Sequence, residues 1–509
     1  MFKDAVNASN STRKATTGLT ANGAVTFTTT YNKLLDLFAI IGSVRNKTGA
    51  EYIPVFDLAY AEDPRLALQT VLWVRDAREG AGERKTAYTL FKHIETVYPE
   101  AVDRLIPVLA EFGRFDDLFQ FETPRAMDLA VKTIAQAIRE GNGLAAKWAP
   151  REYKFKRTAK KVGDKVVRTK HVDKTTVANK SRARNNKIAE MIATELGLSM
   201  KEYRKHLSAM SSTVEQLMCA QDWSEVDYNK LPTHAAKQYV EAFKRHDETR
   251  YLRYLDALST GEAKVNASTV MPHEVVKLLA GNDNSKVKLA NAMWDAMPVL
   301  MGDNGILPMI DTSGSMSVAV GGSPNLRCVD VAVALGLYVA SKQKGAFNNM
   351  WLNFDGTPKL RTLNGDKLSV IHSDLMRHSH DWGYNTNLQA AFDLILSTAK
   401  RYHVKQEDMP KALLIMSDME FDEAARGQTN FEALRKKYKL SGYEMPNVIF
   451  WNLRARNDNM PVRAGTNGTA LVSGFNPNVL KAVLSGEKYD PVKVMLDTID
   501  AERYRVLGM

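Results

Sequence analysis

The apolar run Ile306-Leu307-Pro308-Met309-Ile310 ends directly in Asp311-Thr312-Ser313-Gly314-Ser315. A short continuous apolar run bounded by turn residues reads as a strand buried on both faces. D-x-S-x-S behind such a strand delivers one carboxylate and two hydroxyls to a single loop at the carboxyl edge of a sheet. Hard divalent cations take oxygen donors of this kind, and Mg²⁺ keeps several waters in a near-octahedral shell. Serine is short enough to reach a metal without crowding it, and Gly314 lets the backbone turn between the two serines. The same five residues also suit a plain polar turn.

Two further segments favour the metal. Trp382-Gly383-Tyr384-Asn385-Thr386-Asn387 precedes the helix-like stretch from Leu388 to Leu396, so Thr386 can donate from a second loop. Ala412-Leu413-Leu414-Ile415-Met416 forms another buried strand that ends in Ser417-Asp418, a second strand-end carboxylate. Loops that follow parallel strands converge at one edge of a sheet. This order of Asp-x-Ser-x-Ser, Thr and Asp resembles the metal-ion-dependent adhesion site of von Willebrand factor A domains. The resemblance implies that Ser313, Ser315 and Thr386 touch the metal directly, while Asp311 and Asp418 hold its waters. It also implies an open coordination position, filled by a partner's carboxylate or by water. Mg²⁺ is the expected ion, with Mn²⁺ or Ca²⁺ as alternatives. Water activation at such a metal needs a general base. Glu420 and Asp422 are the nearby carboxylates, and both read as structural, so no enzyme is expected.

The C-terminal half, 299–509, alternates strands and helices. Leu326 to Ser341 carries helical apolar spacing, Trp351 to Phe354 and Val448 to Trp451 read as strands, and Ala470 to Gly474 reads as the last one. Helices are expected near 388–400, 430–438, 476–484 and 490–502. Such alternation predicts a doubly wound, Rossmann-like α/β domain.

Residues 31–298 differ in texture. Amphipathic helices follow one another, with Leu34, Leu35, Phe38 and Ile41 on one face and Leu68, Val71, Leu72 and Val74 on another. Breaks at Gly49, Asp63-Pro64, Gly80-Ala81-Gly82 and Pro99 read as stops and starts. An all-α, HEAT-like helical-repeat region is predicted. Residues 1–30, rich in Ser, Thr, Asn and Ala, read as a flexible arm.

Charge singles out one stretch. The chain carries +11, and residues 147–187 hold fifteen Lys/Arg against three acids, a local +12. Trp148, Tyr153 and Phe155 interleave with these cations, and Lys160 to Arg168 reads as a hairpin around Gly163-Asp164. Cations neutralise phosphates and aromatics stack on unpaired bases, so Arg151, Lys154, Lys156, Arg157, Lys160 and Lys161 are candidate contacts to structured or single-stranded RNA. A solvated basic loop has the same composition. Arg75, Arg78, Arg84 and Lys85 surround Gly80 and Gly82. A phosphate-binding P-loop needs a preceding strand and a glycine before the lysine. This segment has neither, and an inter-helix turn able to meet a phosphate backbone is expected instead.

Val74-Arg75-Asp76-Ala77-Arg78-Glu79-Gly80-Ala81-Gly82-Glu83-Arg84, Phe112-Gly113-Arg114-Phe115-Asp116-Asp117-Leu118 and Trp148-Ala149-Pro150-Arg151-Glu152 stand with the Asp311 loop, Met416 to Asp422 and Phe450 to Arg454. Together they make the chain similar to the TROVE-like family, from about residue 30 to the end. It resembles more distantly the Ro autoantigen family, whose helical ring binds small structured RNAs and is closed by a von Willebrand A domain. Against that pattern, 154–174 reads as an insertion.

Cys219 and Cys328 are the only cysteines, which fits a reducing compartment. No secretory signal is apparent in 1–30 and no apolar run is long enough to span a bilayer, so a cytoplasmic protein is expected. His372, His378 and His380 lie in a polar stretch and read as surface residues. Two functions follow: an RNA-binding ribonucleoprotein scaffold with a Mg-dependent protein-interaction site, or a metal-dependent adaptor that grips an acidic side chain without binding RNA.

Overall fold

The fold is that of a computed structural model. It describes residues 17–45, 47–153, 159–162, 165–168, 177–211, 213–300, 302, 305–320, 325–354, 357–379, 382, 386–422, 430–454, 459–485 and 489–508. The chain forms two compact units. One gathers the described residues up to Ala87 with those of Asp227–Leu507, and the other gathers those of Tyr88–Val226.

The strands are β1 (Thr17–Leu19), β2 (Val25–Phe27), β3 (Ala159–Val162), β4 (Lys165–Arg168), β5 (Ile306–Asp311), β6 (Met350–Phe354), β7 (Leu360–Thr362), β8 (Ala412–Ser417), β9 (Asn447–Asn452) and β10 (Thr469–Ser473). In the first unit a six-stranded sheet runs β10-β9-β8-β5-β6-β7, parallel except for β7. Every residue of β5, β8 and β10 is buried, as expected of parallel strands covered on both faces. The Cys328–Lys342 helix lies close on β5. A Cβ at Gly336 would stand 2.4 Å from Ile310 Cδ1, so only glycine permits this approach. β7 is not evident from sequence, because Leu360-Arg361-Thr362 has no apolar run; it pairs antiparallel as an edge.

Helices Lys33–Ile41, Gly49–Glu62 and Pro64–Arg75 belong to the same unit. Asp63 ends one helix and caps the next, accepting from Leu66 N at 2.9 Å with Pro64 in the first turn. This unit runs across the expected boundary at residue 298. Asn291 and Ser369 exchange hydrogen bonds of 2.9 and 3.2 Å, Trp294 Nε1 donates to Ser341 Oγ, and Tyr338 donates to Pro298 O. The expected flexible arm is corrected too, as far as it is described. β1 and β2 form an antiparallel hairpin, and β2 continues through Phe27 into a bridge with Met460. The reason is side-chain pairing, with Thr26 Oγ1 meeting Asn459 Oδ1 and Met460 O while Arg463 covers the Phe27 ring at 4.3 Å.

The second unit is helical. Pro99–Phe112, Pro124–Arg139, Gly143–Trp148, Val177–Glu195, Met200–Met210 and Val214–Ala220 follow one another. Helix starts are marked by local chemistry, with Pro99 and Pro124 in first turns and a reciprocal Ser199–Glu202 cap. β3 and β4 form the expected hairpin, Val162 opposite Lys165; Gly163 and Asp164 lie outside the described residues. Among the described residues, no helix is long and apolar enough to cross a membrane.

Candidate metal centre

From β5 the chain moves to β6 on one side, then returns to place β8 on the other. The β5/β8 pair is therefore a topological switch point, where the carboxyl ends of neighbouring strands leave a crevice. Asp311 closes β5, fully buried. Its Oδ1 accepts from Ser313 N at 2.9 Å and its Oδ2 from Ser417 Oγ at 2.5 Å. Ser313 Oγ and Ser315 Oγ stand 3.1 Å apart. Asp418, also fully buried, follows β8. Its Oδ1 accepts only a long 3.4 Å bond from Glu420 N, and its Oδ2 has no hydrogen bond at all. Arg454 Nη1 lies 3.6 Å from that oxygen and donates to Ser315 O at 3.2 Å. Burial pushes the Asp311 carboxyl up to about 7, and the Asp418 charge pushes the same way against the bonds from Ser417 and Ser313. Next in the chain, Met419 takes a left-handed φ of 66°, uncommon outside glycine.

Asp311, Ser313, Ser315 and Asp418 are thus joined by direct contacts or through Arg454. Thr386 is one step removed. Its hydroxyl donates to Glu420 O at 2.5 Å and stands 3.2 Å from Asp422 Oδ1, while its N–H donates to Asp422 Oδ2. Among the described residues, no three His, Cys, Asp or Glu side chains make a metal cluster; the donors here are two carboxylates and three hydroxyls. The donor set fits a small hard cation, because an orphaned carboxylate oxygen and a raised neighbouring carboxyl are both relieved by positive charge.

The N-terminal hairpin adds residues that the sequence alone does not suggest. Asn22 Nδ2 donates to Thr386 Oγ1 at 3.0 Å and to Glu420 O at 2.8 Å. Thr20 Oγ1 donates to Phe421 O, Ala21 N donates to Glu420 Oε2, and Gly23 bridges to Asp422. Glu420 also accepts from Asn459. Glu420 and Asp422 therefore hold the hairpin and the Thr386 loop. Arg454 ends the Phe450 to Arg454 motif, which by itself gives it no role, and only its approach to Asp418 reveals one.

The expected RNA contacts divide. Arg75 is 3 % exposed, which corrects its reading as a phosphate ligand, since a buried guanidinium cannot meet a backbone from solvent. Arg78, Arg84 and Lys85 are exposed. The turn they sit in is stitched to the C-terminal segment: Asp76 accepts from Arg503 at 2.6 and 3.1 Å and from Tyr504 OH at 3.0 Å. Arg78 O accepts from Asn478, and buried Glu83 takes both its bonds from Arg45 Nε. A Cβ at Gly80 would fall 2.1 Å from Trp73 O, so this glycine serves packing. In the other unit, exposed Arg151 reaches Ser208 and Ser211. Arg114 covers the Trp148 ring at 4.1 Å and Arg182 covers Tyr153 at 4.1 Å. Lys154, Phe155, Lys156 and Arg157 lie outside the described residues, as does His380; Lys160 and Lys161 are placed on β3 by backbone alone. His372 is half-buried, with its pKa lowered by that burial.

Comparison with known proteins adds three findings. The uncharacterized protein L728 of Acanthamoeba polyphaga mimivirus is 26% identical over 540 aligned positions, spanning 96% of this chain and 88% of its own. The crystal structure of the Deinococcus radiodurans Ro (RSR) protein aligns over 92% of this chain and 93% of that one, at 14% identity and a TM-score of 0.35. Two family models match, a domain of unknown function (DUF7788) over residues 306–504 and another (DUF2828) over residues 20–119 and 125–307. Because the latter spans more than half of its residues, the chain belongs to the DUF2828 family.

Proposed function

We propose that the α/β region is a von Willebrand factor A-like domain whose β5/β8 crevice holds Mg²⁺ and grips an acidic side chain of a partner protein. The domain sits within a cytoplasmic Ro/TROVE-like RNA-binding scaffold. One observation carries the metal reading: Asp418 Oδ2 is buried without a hydrogen bond, beside a second buried carboxyl and the paired hydroxyls of Ser313 and Ser315. A bound cation would supply an electrophilic open position to a carboxylate. Ser313, Ser315 and Thr386 would hold it directly, and Asp311 and Asp418 through water. Glu420 accepts from Ala21 N and the Asn459 amide, and Asp422 accepts from Thr386 N, commitments that support binding rather than hydrolysis.

Thermal unfolding in chelator and in Mg²⁺ tests this. At about 100 times its Kd, a bound ion stabilises the fold by ~2.7 kcal/mol, and Asp418→Asn should abolish the response. A wild-type melting curve that ignores Mg²⁺, Mn²⁺ and Ca²⁺ alike would sink the reading. The RNA part rests on the +12 of residues 147–187. Neutralising Lys156, Arg157, Lys160 and Lys161 should lower the salt dependence of single-strand binding by about 0.7 for each phosphate that the variant no longer neutralises. The adaptor without RNA is the second reading, supported by the Arg114 and Arg182 guanidinium groups that already occupy the Trp148 and Tyr153 faces; absence of RNA binding by the wild-type protein would select it, whereas unchanged RNA affinity in the neutralised variant would move the RNA site off this segment.

A further inference from the structure

β8 and β9 pair in parallel with Ser417 opposite Asn452, so Asp418 and Leu453-Arg454 leave the sheet side by side. Leu453 N donates to Ser417 O at 2.9 Å, and Arg454 N donates to Asn452 Oδ1 at 2.9 Å. These two bonds fix the root of the Arg454 side chain next to the end of β8. Its guanidinium donates to Ser315 O at 3.2 Å, in the loop that follows β5. β8 lies between β9 and β5, so a side chain that leaves β9 and reaches the β5 loop crosses the end of β8. Asp418 stands there, with its Oδ2 3.6 Å from Arg454 Nη1 and out of contact with solvent.

That approach supplies charge without a bond. Charge-assisted N–H···O bonds run to about 2.7–2.9 Å, and Arg503 meets Asp76 at 2.6 Å. Arg454 instead balances Asp418 through space, while the same nitrogen donates to a carbonyl. Its side chain is 27 % exposed, which leaves it solvent to turn into. A divalent ion would bring twice the charge and, in its bound waters, donors for the orphan oxygen. Two cations that share one crevice repel each other. We propose that Arg454 is the internal counter-cation of this crevice, and that a divalent ion binds by displacing its guanidinium from Asp418. The inference rests on the metal centre proposed above and gives Arg454 a defined part in it. In the metal-free protein the guanidinium balances a buried charge, and by the same charge it holds down the affinity for the ion.

Calorimetric titration of the full chain with Mg²⁺ at low salt tests this. Arg454→Met keeps much of the aliphatic stem and drops the charge. It should bind Mg²⁺ about tenfold more tightly than wild type, the effect of removing one unit charge close to a divalent ion. Arg454→Lys, which keeps the charge, should stay near the wild-type affinity. In chelator, Arg454→Met should lower the melting temperature in the wild-type background and leave it unchanged in Asp418→Asn, where the charge to be balanced is gone. Unchanged or weaker Mg²⁺ affinity in Arg454→Met, while wild type binds the ion, overturns the inference and leaves the metal centre standing. Equal tightening in Arg454→Lys, or an equal melting shift in both backgrounds, overturns it too. A wild type that binds no divalent ion takes down the metal centre, and this inference with it. Should Arg454→Met not fold, Arg454→Gln is read by the same outcomes.

Discussion

Asp76 and Asp418 are both fully buried, yet their surroundings are opposite. Both Asp76 oxygens are saturated, by Arg503, by Tyr504 and by the backbone N–H of Arg78. Asp418 has one long bond, one orphan oxygen and an arginine at 3.6 Å. A saturated buried carboxylate joins distant parts of a chain. A starved one, set against a second carboxyl, costs stability unless a cation arrives. Both aspartates belong to motifs that the sequence displays with equal prominence, so only the count of satisfied oxygens separates the joint from the site.

The largest expected effect is at the joint. Asp76→Ala should cost about 3–5 kcal/mol in urea unfolding, because it strands Arg503 and the Tyr504 hydroxyl; a loss under about 1 kcal/mol would break the contrast. Next comes pH. Asp311 has its folded pKa raised from 3.8 to about 7, so its contribution is fully present below the unfolded value and is lost as pH rises through the folded one. The metal-free protein should lose stability across this window by up to about 1.4 kcal/mol per pH unit. Asp311→Asn should remove that slope, and Mg²⁺ should oppose it in the wild type. An identical pH profile for both proteins would refute the assignment.

Smaller still is Asp418→Asn in chelator, expected within about 1 kcal/mol of wild type because the buried charge it removes has only a long hydrogen bond and a 3.6 Å approach of Arg454. A loss matching Asp76→Ala would erase the distinction between the two aspartates. The finest test is Asn22→Ala. Its amide occupies a lone pair of Thr386 Oγ1, so its removal should tighten Mg²⁺ binding about fivefold, the equivalent of one ordinary hydrogen bond. Calorimetric titration reads this directly, and unchanged affinity would mean that the hairpin does not act on the Thr386 donor.

Parts of this were legible without coordinates. Ile306 to Ile310, Ala412 to Met416 and Val448 to Trp451 are continuous apolar runs, and parallel strands buried on both faces need nothing more. Asp311, Ser313, Ser315 and Asp418 could be placed at strand ends for the same reason. The 17–27 hairpin was not legible, since its composition is that of a loop and its partners, Glu420 to Asp422 and Asn459-Met460, lie some four hundred residues away. Arg75 misled for a related reason. A cation beside glycines reads as exposed, and nothing local reports that the folded chain buries it.

Sequence alone determined the buried parallel strands and the amphipathic helices, the strand-end donors and the concentration of charge at 147–187. Each depends on residues within a turn or two of one another, where hydrophobic period and turn chemistry act. Tertiary structure decided that Asp76 is a joint and Asp418 an unsatisfied acid, and that Asn22 reaches Thr386. Those outcomes depend on which groups meet after the chain has folded back across hundreds of residues, and hydrogen-bond satisfaction in a buried site is set by that meeting.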